Sequence, residues 1–306
     1  MPASAPTIDI VVVGAQKGLS TALAHVLGEH PDVEMAAQEF HGFLDAPYAA
    51  GHWRAAYDLF RTTAPHHGFK CASYFADPAL PERLRHHFDS AHIVVGLRHP
   101  VDRAVSAWHW YIKEGLLPPV PADIGLTRVL DGDAVGYTWR HATEVLDWGL
   151  YAEHLARWRA AFPAGAVHVV TDIQLAHDPD GAMRALRRDL GLASIAAPPL
   201  PRLNTGVYSM PRLRWLAQRG RLRWRADADG IWSPQRPTRP LPRLTDAAIT
   251  GIDRFVLARV CPNDPPTLPP RLRARLTDYF RADIAQLAAD IGQDLSAWTA
   301  PGPAHG

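Results

Sequence analysis

Cysteine is nearly missing from this sequence. Only Cys71 and Cys261 occur in 306 residues. They lie far apart and belong to no metal-type spacing, which argues against a disulfide framework and fits a reducing compartment. An excess of charge is missing too, since the formal net charge is +1. There is no global pull toward nucleic acid or an anionic membrane, so a site for a small polyanion has to come from local clustering. Long apolar runs are also absent. No stretch of ~18 apolar residues is present, and Met1 to Pro6 lacks the basic and apolar regions of a secretory signal. The expectation is a cytoplasmic protein with no membrane insertion and no nucleic-acid partner. No oligomeric state follows.

The chain does have enough apolar material, 47% of its residues, to bury one large core. Ile8 to Val13, His92 to Leu97 and Ala166 to Thr171 are short, β-branched runs that read as strands buried on both faces. Val33 to Ala37 reads as a further short strand. Helical patterns fill the gaps at Ser20–Leu27, Val101–Lys113, Leu150–Phe162 and Pro179–Leu190, with a last amphipathic helix after about Leu268. Strands alternating with helices predict an α/β fold, a parallel sheet flanked by helices on both faces. With no repeat and no long linker, residues 1–306 are expected to form a single domain. Stretches near 115–144 and 219–243, rich in Pro, Gly and Arg, are expected to be irregular loops.

Two segments point to anion chemistry. Gly14-Ala15-Gln16-Lys17-Gly18-Leu19-Ser20-Thr21 joins a buried strand to a helix. Unpartnered N–H groups at such a helix start, with Lys17 and the hydroxyls of Ser20 and Thr21, make a phosphate or sulfate cradle. The segment is P-loop-like but is not a Walker A loop. Its lysine precedes the second glycine, and Gly18 stands where a Mg²⁺-binding Ser/Thr would follow the lysine. Arg98 closes a second buried strand, and Ser106 lies in the helix that follows. Arg98 can grip a phosphate bidentately at the strand edge where α/β sheets bind ligands, and Ser106 can add a hydrogen bond.

These residues resemble the PAPS-dependent sulfotransferases, where PAPS is 3′-phosphoadenosine-5′-phosphosulfate. Gly14 to Thr21 is similar to the family's 5′-phosphosulfate loop. Arg98 to Ser106 is similar to its 3′-phosphate motif, Arg-x-Pro-x-x-Arg-x-x-Ser. His30-Pro31-Asp32-Val33 with Gln38-Glu39-Phe40-His41-Gly42-Phe43, and Gly68-Phe69-Lys70-Cys71-Ala72-Ser73-Tyr74-Phe75, resemble segments of the heparan-sulfate branch and its bacterial relatives. Asp294 to Trp298 resembles the end of bacterial members.

The resemblance implies the sulfotransferase fold and transfer of a sulfuryl group from PAPS to a hydroxyl or amine of a saccharide or small-molecule acceptor. The product would be adenosine 3′,5′-bisphosphate, and no metal would take part. Lys17 would offset charge on the leaving phosphate. Glu39 or His41 would be the base, Glu39 being the match to the heparan branch. Gln16, Lys17, Gly18, Leu19, Ser20, Thr21, Arg98 and Ser106 would hold the donor. A late segment, Asn204-Thr205-Gly206-Val207-Tyr208, and the basic element Arg219-Gly220-Arg221 would close over the nucleotide. Lys70, Ser73 and Tyr74 would lie on the acceptor side. Three positions depart from the pattern. Leu19 stands for Gly, which would tighten or shift the cradle. Gln38 stands for Lys, removing a charge. Gly42 stands for Phe, which would open the acceptor pocket. A nucleotide-dependent phosphotransferase and a non-catalytic nucleotide-binding module are the rival readings.

Overall fold

The fold is taken from a computed structural model, which describes residues 7–133, 141–195, 206–226, 232–234 and 240–300. The chain groups into two compact units. One comprises Met1–Arg103, Leu150–Asn204 and Arg281–Thr299, and the other Ala104–Gly149, Thr205–Phe280 and Ala300–Gly306.

The first unit begins with β1 (Ile8–Gly14), α1 (Ser20–Gly28), β2 (Val33–Met35), α2 (Asp45–Ala49), β3 (His66–Lys70), α3 (Leu80–His87) and β4 (His92–Leu97). Helix α4 (Pro100–Lys113) starts there and continues into the second unit. The second unit holds α5 (Ala122–Leu130) and α6 (His141–Asp147). The chain then returns to the first unit with α7 (Tyr151–Ala161), β5 (Val167–Thr171), α8 (Asp172–His177) and α9 (Pro179–Asp189). It goes back to the second with α10 (Met210–Leu216), α11 (Gly220–Arg223), the hairpin β6 (Trp224–Ala226) and β7 (Trp232–Pro234), α12 (Pro240–Ile252) and α13 (Ala258–Val260). The long α14 (Pro270–Ile291) has residues in both units.

The expected parallel sheet is present. Five strands lie in the order β2-β3-β1-β4-β5, and every pair is parallel. Its near-continuous apolar strands explain why both faces are covered. Ile10 and Val12 of β1 point to one side with Val94 and Val170. There they meet Leu23, Val26 and Leu27 of α1 and Met183 and Leu186 of α9. Val11 and Val13, one residue out of step, are buried as well. An aromatic cluster of Phe40, Phe43, Phe69, Tyr74 and Phe88 fills the region around α3.

Both stretches expected to be irregular contain regular structure. Helix α5 falls inside 115–144, and α11, the β6–β7 hairpin and the start of α12 fall inside 219–243. The prolines mislead here because several open helices instead of ending them. Pro121 occupies the N-cap of α5, and Pro240 and Pro270 are the first residues of α12 and α14. At a first helical position the missing N–H costs nothing and φ is already set. Residues 134–140 of the first stretch lie outside the described residues. In the second unit Trp108 is buried, donates from Nε1 to the Val120 carbonyl at 2.8 Å, and covers Gly125 of α5. Among the described residues no helix is long and apolar enough to cross a membrane.

Candidate active site

Because all strands of the sheet run the same way, every strand ends at one edge, and four of the segments that leave there carry the expected site residues. They are the loop after β1, the segment after β2, the end of β3 and the end of β4. All four belong to the first unit. This is the carboxyl edge at which open α/β sheets bind ligands.

The loop after β1 is compact. Gly18 donates its N–H to the Ala15 carbonyl at 2.9 Å, and Ala15 donates to the Gly96 carbonyl of β4 at 2.9 Å. A Cβ on Gly18 would stand 2.5 Å from the Gly96 oxygen, so only glycine lets the loop lie this close to the sheet. Lys17 is in the left-handed region, with φ 61. A non-glycine residue held there costs of order 1 kcal/mol, and such outliers cluster at ligand clamps. Leu19 is the N-cap of α1, with no side-chain cap hydrogen bond. The first N–H groups of α1 are therefore open to a ligand anion. Leu19 also packs against the core, which anchors the cradle.

Lys70, the last residue of β3, joins this loop to the segment after β2. Its Nζ donates to Thr21 Oγ1 at 3.2 Å and to Glu39 Oε1 at 2.5 Å. Glu39 is positioned by its neighbour, since the Phe40 N–H donates to the Lys70 carbonyl at 2.9 Å. His41 lies beside the same carboxylate, with Nε2 3.9 Å from Glu39 Oε2. The other ring nitrogen, Nδ1, is 3.3 Å from the Cys71 sulfur, which is itself 3.3 Å from Ser73 Oγ. Burial holds the His41 imidazole below its ordinary value, against the pull of Glu39, while Lys70 pushes the same way as burial.

Tyr74, expected on the acceptor side, is fully enclosed. Its hydroxyl donates to the Phe40 carbonyl at 2.5 Å and accepts from the Phe43 N–H at 3.3 Å. It thus reaches the site by pinning the backbone on either side of His41.

Arg98 follows β4. Its carbonyl accepts from the buried Tyr151 hydroxyl at 2.8 Å. The adjacent His99 N–H donates to Asp172 Oδ2 at 2.9 Å, and Trp298 Nε1 donates to Asp172 Oδ1 at 2.9 Å. The corner is fixed from three sides. No carboxylate among the described residues is seen to hydrogen-bond or ion-pair with the Arg98 guanidinium. That suits it to a ligand anion.

The other expected donor contacts lie in the second unit. Ser106 is buried in α4. Gly206 and Tyr208 are tied to Asn263, which donates to the Gly206 carbonyl at 2.8 Å and accepts from the Tyr208 N–H at 2.8 Å. Asn204 and Thr205 lie outside the described residues. Arg219 is buried, donates to Thr250 Oγ1 at 3.2 Å and lies 3.8 Å from Glu114. Gly220 packs so closely on the Glu114 carbonyl that a Cβ would stand 2.0 Å from its oxygen. Both therefore have structural work inside their unit. The Arg221 side chain lies outside the described residues.

No family model matches the chain. It is 31% identical over 189 residues to the mouse heparan sulfate glucosamine 3-O-sulfotransferase 3B1, covering 60% of this chain and 46% of that protein. The mouse heparan sulfate glucosamine 3-O-sulfotransferase 6 is 27% identical over 246 residues, 80% of this chain and 67% of that one. A solved sulfotransferase from Alicyclobacillus acidocaldarius aligns with 96% of this chain and 100% of its own, with TM-score 0.65 and 18% identity. The chain is thus similar in sequence to sulfotransferases over 60–80% of its length and similar in fold to a solved one. It spans about half the length of the first of these curated relatives, 46%.

Against the sulfotransferase pattern, the three departures have physical outcomes. Leu19 is absorbed by the core, as described. Gln38 is exposed, next to Glu39. Gly42 faces an aromatic ring. The Phe40 ring covers it, 2.3 Å from where a Cβ would be, so Phe40 fills the space. Sequence reasoning passed over Cys71, Asp172 and Tyr151. No local motif marks the last two, because their partners are 53 to 126 residues away in the chain. Cys71 was visible only as a residue between Lys70 and Ser73.

Proposed function

We propose that this chain is a PAPS-dependent sulfotransferase that moves a sulfuryl group to a hydroxyl or amine of a saccharide or small-molecule acceptor. One observation carries the reading. Lys70 ties the anion loop, through Thr21, to the carboxylate of Glu39, so a donor site and a base lie within one side chain's reach.

The residues fit a nucleotide with phosphates at both ends. The uncapped start of α1 with Lys17 would hold the sulfated end, and Arg98 the 3′-phosphate. When bound, PAPS supplies an activated sulfuryl group with adenosine 3′,5′-bisphosphate as leaving group. Glu39 is assigned to take the acceptor proton. Lys17, with the N–H groups of α1, is assigned to face charge that grows on the leaving phosphate. Lys70 steadies Glu39 and Thr21 and puts one cation between them. A saccharide acceptor is favoured by the named activity of the relatives, which act on heparan sulfate glucosamine.

The test is transfer of labelled sulfate from PAPS to an array of saccharides and hydroxylated small molecules, in EDTA. Labelled product is expected for at least one acceptor, and none with Lys17→Ala. If transfer is absent, while ATP with Mg²⁺ stabilises the chain and adenosine 3′,5′-bisphosphate does not, the phosphotransferase reading takes its place.

A further inference from the structure

We infer that the thiol of Cys71 is a positioning group: it donates to Nδ1 of His41, fixes the ring as its Nε2–H tautomer, and leaves Glu39 as the only base. The chemical consequence rests on the sulfotransferase reading, but the tautomer does not.

The argument begins with the two ends of one ring. Nδ1 lies 3.3 Å from the Cys71 sulfur, and Nε2 lies 3.9 Å from Glu39 Oε2. A neutral imidazole has one proton and one lone pair, so the ends cannot both donate. With the proton on Nδ1, a lone pair on Nε2 would face the carboxylate, and the thiol would offer only a weak sulfur acceptor. With the proton on Nε2, the N–H dipole points at negative charge and Nδ1 accepts from S–H. Both ends favour the second arrangement.

The thiol is able to donate. Cys71 is fully buried, and burial and the nearby Glu39 push its pKa up to about 12. It keeps its proton at neutral pH, unlike the thiolates of reactive cysteines, which need an electropositive setting. Burial also favours the neutral imidazole. A thiol–imidazole pair is thus preferred over a thiolate–imidazolium pair. Ser73 Oγ, 3.3 Å from the sulfur, completes the line by donating to it. The donors then run one way, from Ser73 through Cys71 and His41 to Glu39. Lys70, the remaining charged group here, meets Glu39 at its other oxygen, Oε1. In this state Nε2 already holds a proton and cannot take one from an acceptor hydroxyl. His41 steadies the base.

The test is a long-range ¹H–¹⁵N correlation spectrum of the ¹⁵N-histidine-labelled chain, with His41→Asn to assign the signals. The wild type is expected to show His41 as the Nε2–H tautomer at neutral pH. Cys71→Ser, which keeps a donor, should retain it. Cys71→Ala should show a mixture and lose about tenfold in turnover at unchanged donor affinity, the scale of one hydrogen bond. An Nδ1–H signal in the wild type, or no change in Cys71→Ala, overturns the inference. A wild type that holds the Nε2–H tautomer yet transfers no sulfuryl group overturns the sulfotransferase reading and the assignment of Glu39 as base. The thiol's hold on the ring then stands.

Discussion

A carboxylate that takes a proton from a hydroxyl has to be reachable and held, and Glu39 meets both needs. Its side chain is 35% exposed while Lys70 grips one oxygen. An ion pair this open to water adds little to stability. Its value is in orientation. Glu39→Gln keeps the shape and removes the basicity. Turnover is expected to fall by ~10²–10⁴, the range for a lost general base. Donor affinity, measured by calorimetry, should change little. His41→Asn should cost far less if, as we infer, the ring acts through Glu39. Single-turnover rates decide the matter. A dead His41→Asn beside a nearly normal Glu39→Gln would make His41 the base. Lys17→Ala differs in kind, since loss of charge from donor and transition state together should weaken affinity and turnover alike.

Strands and helices differ in how openly the sequence announces them. β1, β4 and β5 were legible because β-branched runs such as Ile10-Val11-Val12-Val13 suit a sheet, though β5, at its edge, is only half-buried over Val167, His168 and Val169. β3 was not, since His66-His67-Gly68-Phe69-Lys70 has neither a β-branched run nor alternation. It is a strand through its place between β1 and β2, which no local signal reveals. The same holds for the site. The glycine loop and Arg98 could be read, but the Cys71–His41 and Asp172–Trp298 contacts depend on packing across the chain.

Strand pairing also has a pH signature. On β4 and β5, His92 Nδ1 and His168 Nε2 are 2.9 Å apart, so the pair shares one hydrogen bond only while at least one ring is neutral. Burial, helped by His92, pulls His168 down to about 4 from an ordinary 6.5. A folded value below the unfolded one means that the unfolded chain binds the proton first. The contribution of this group is fully present above pH 6.5 and is lost as pH falls toward 4. Urea unfolding should show a loss of about 1–2 kcal/mol over that window, discounted for partial exposure. His168→Gln can still hydrogen-bond to His92 and does not titrate, so it should flatten the profile. An unchanged slope in that variant would mean that other groups carry the acid sensitivity.

For the molecule as a whole, we propose that the two compact units behave as one domain. The donor analogue can test this and the nucleotide assignment together. With net charge +1, the chain has no general affinity for anions, so nucleotide binding must come from the placed groups. A ligand that binds only the folded chain stabilises it by about 2.7 kcal/mol at a hundredfold excess over Kd. Adenosine 3′,5′-bisphosphate should do this, and adenosine 5′-phosphate, lacking the group assigned to Arg98, much less. Arg98→Ala should remove most of the difference. Scanning calorimetry of a single domain will show one transition that moves as a whole when the bisphosphate is added, because helices α4 and α14 each give residues to both units and cooperative folding is all-or-none. If the scan shows two transitions and only one moves, the units are separate domains and the nucleotide contacts lie in the one that shifts. If both nucleotides stabilise alike, the assignment of the 3′-phosphate to Arg98 fails, whatever the number of transitions.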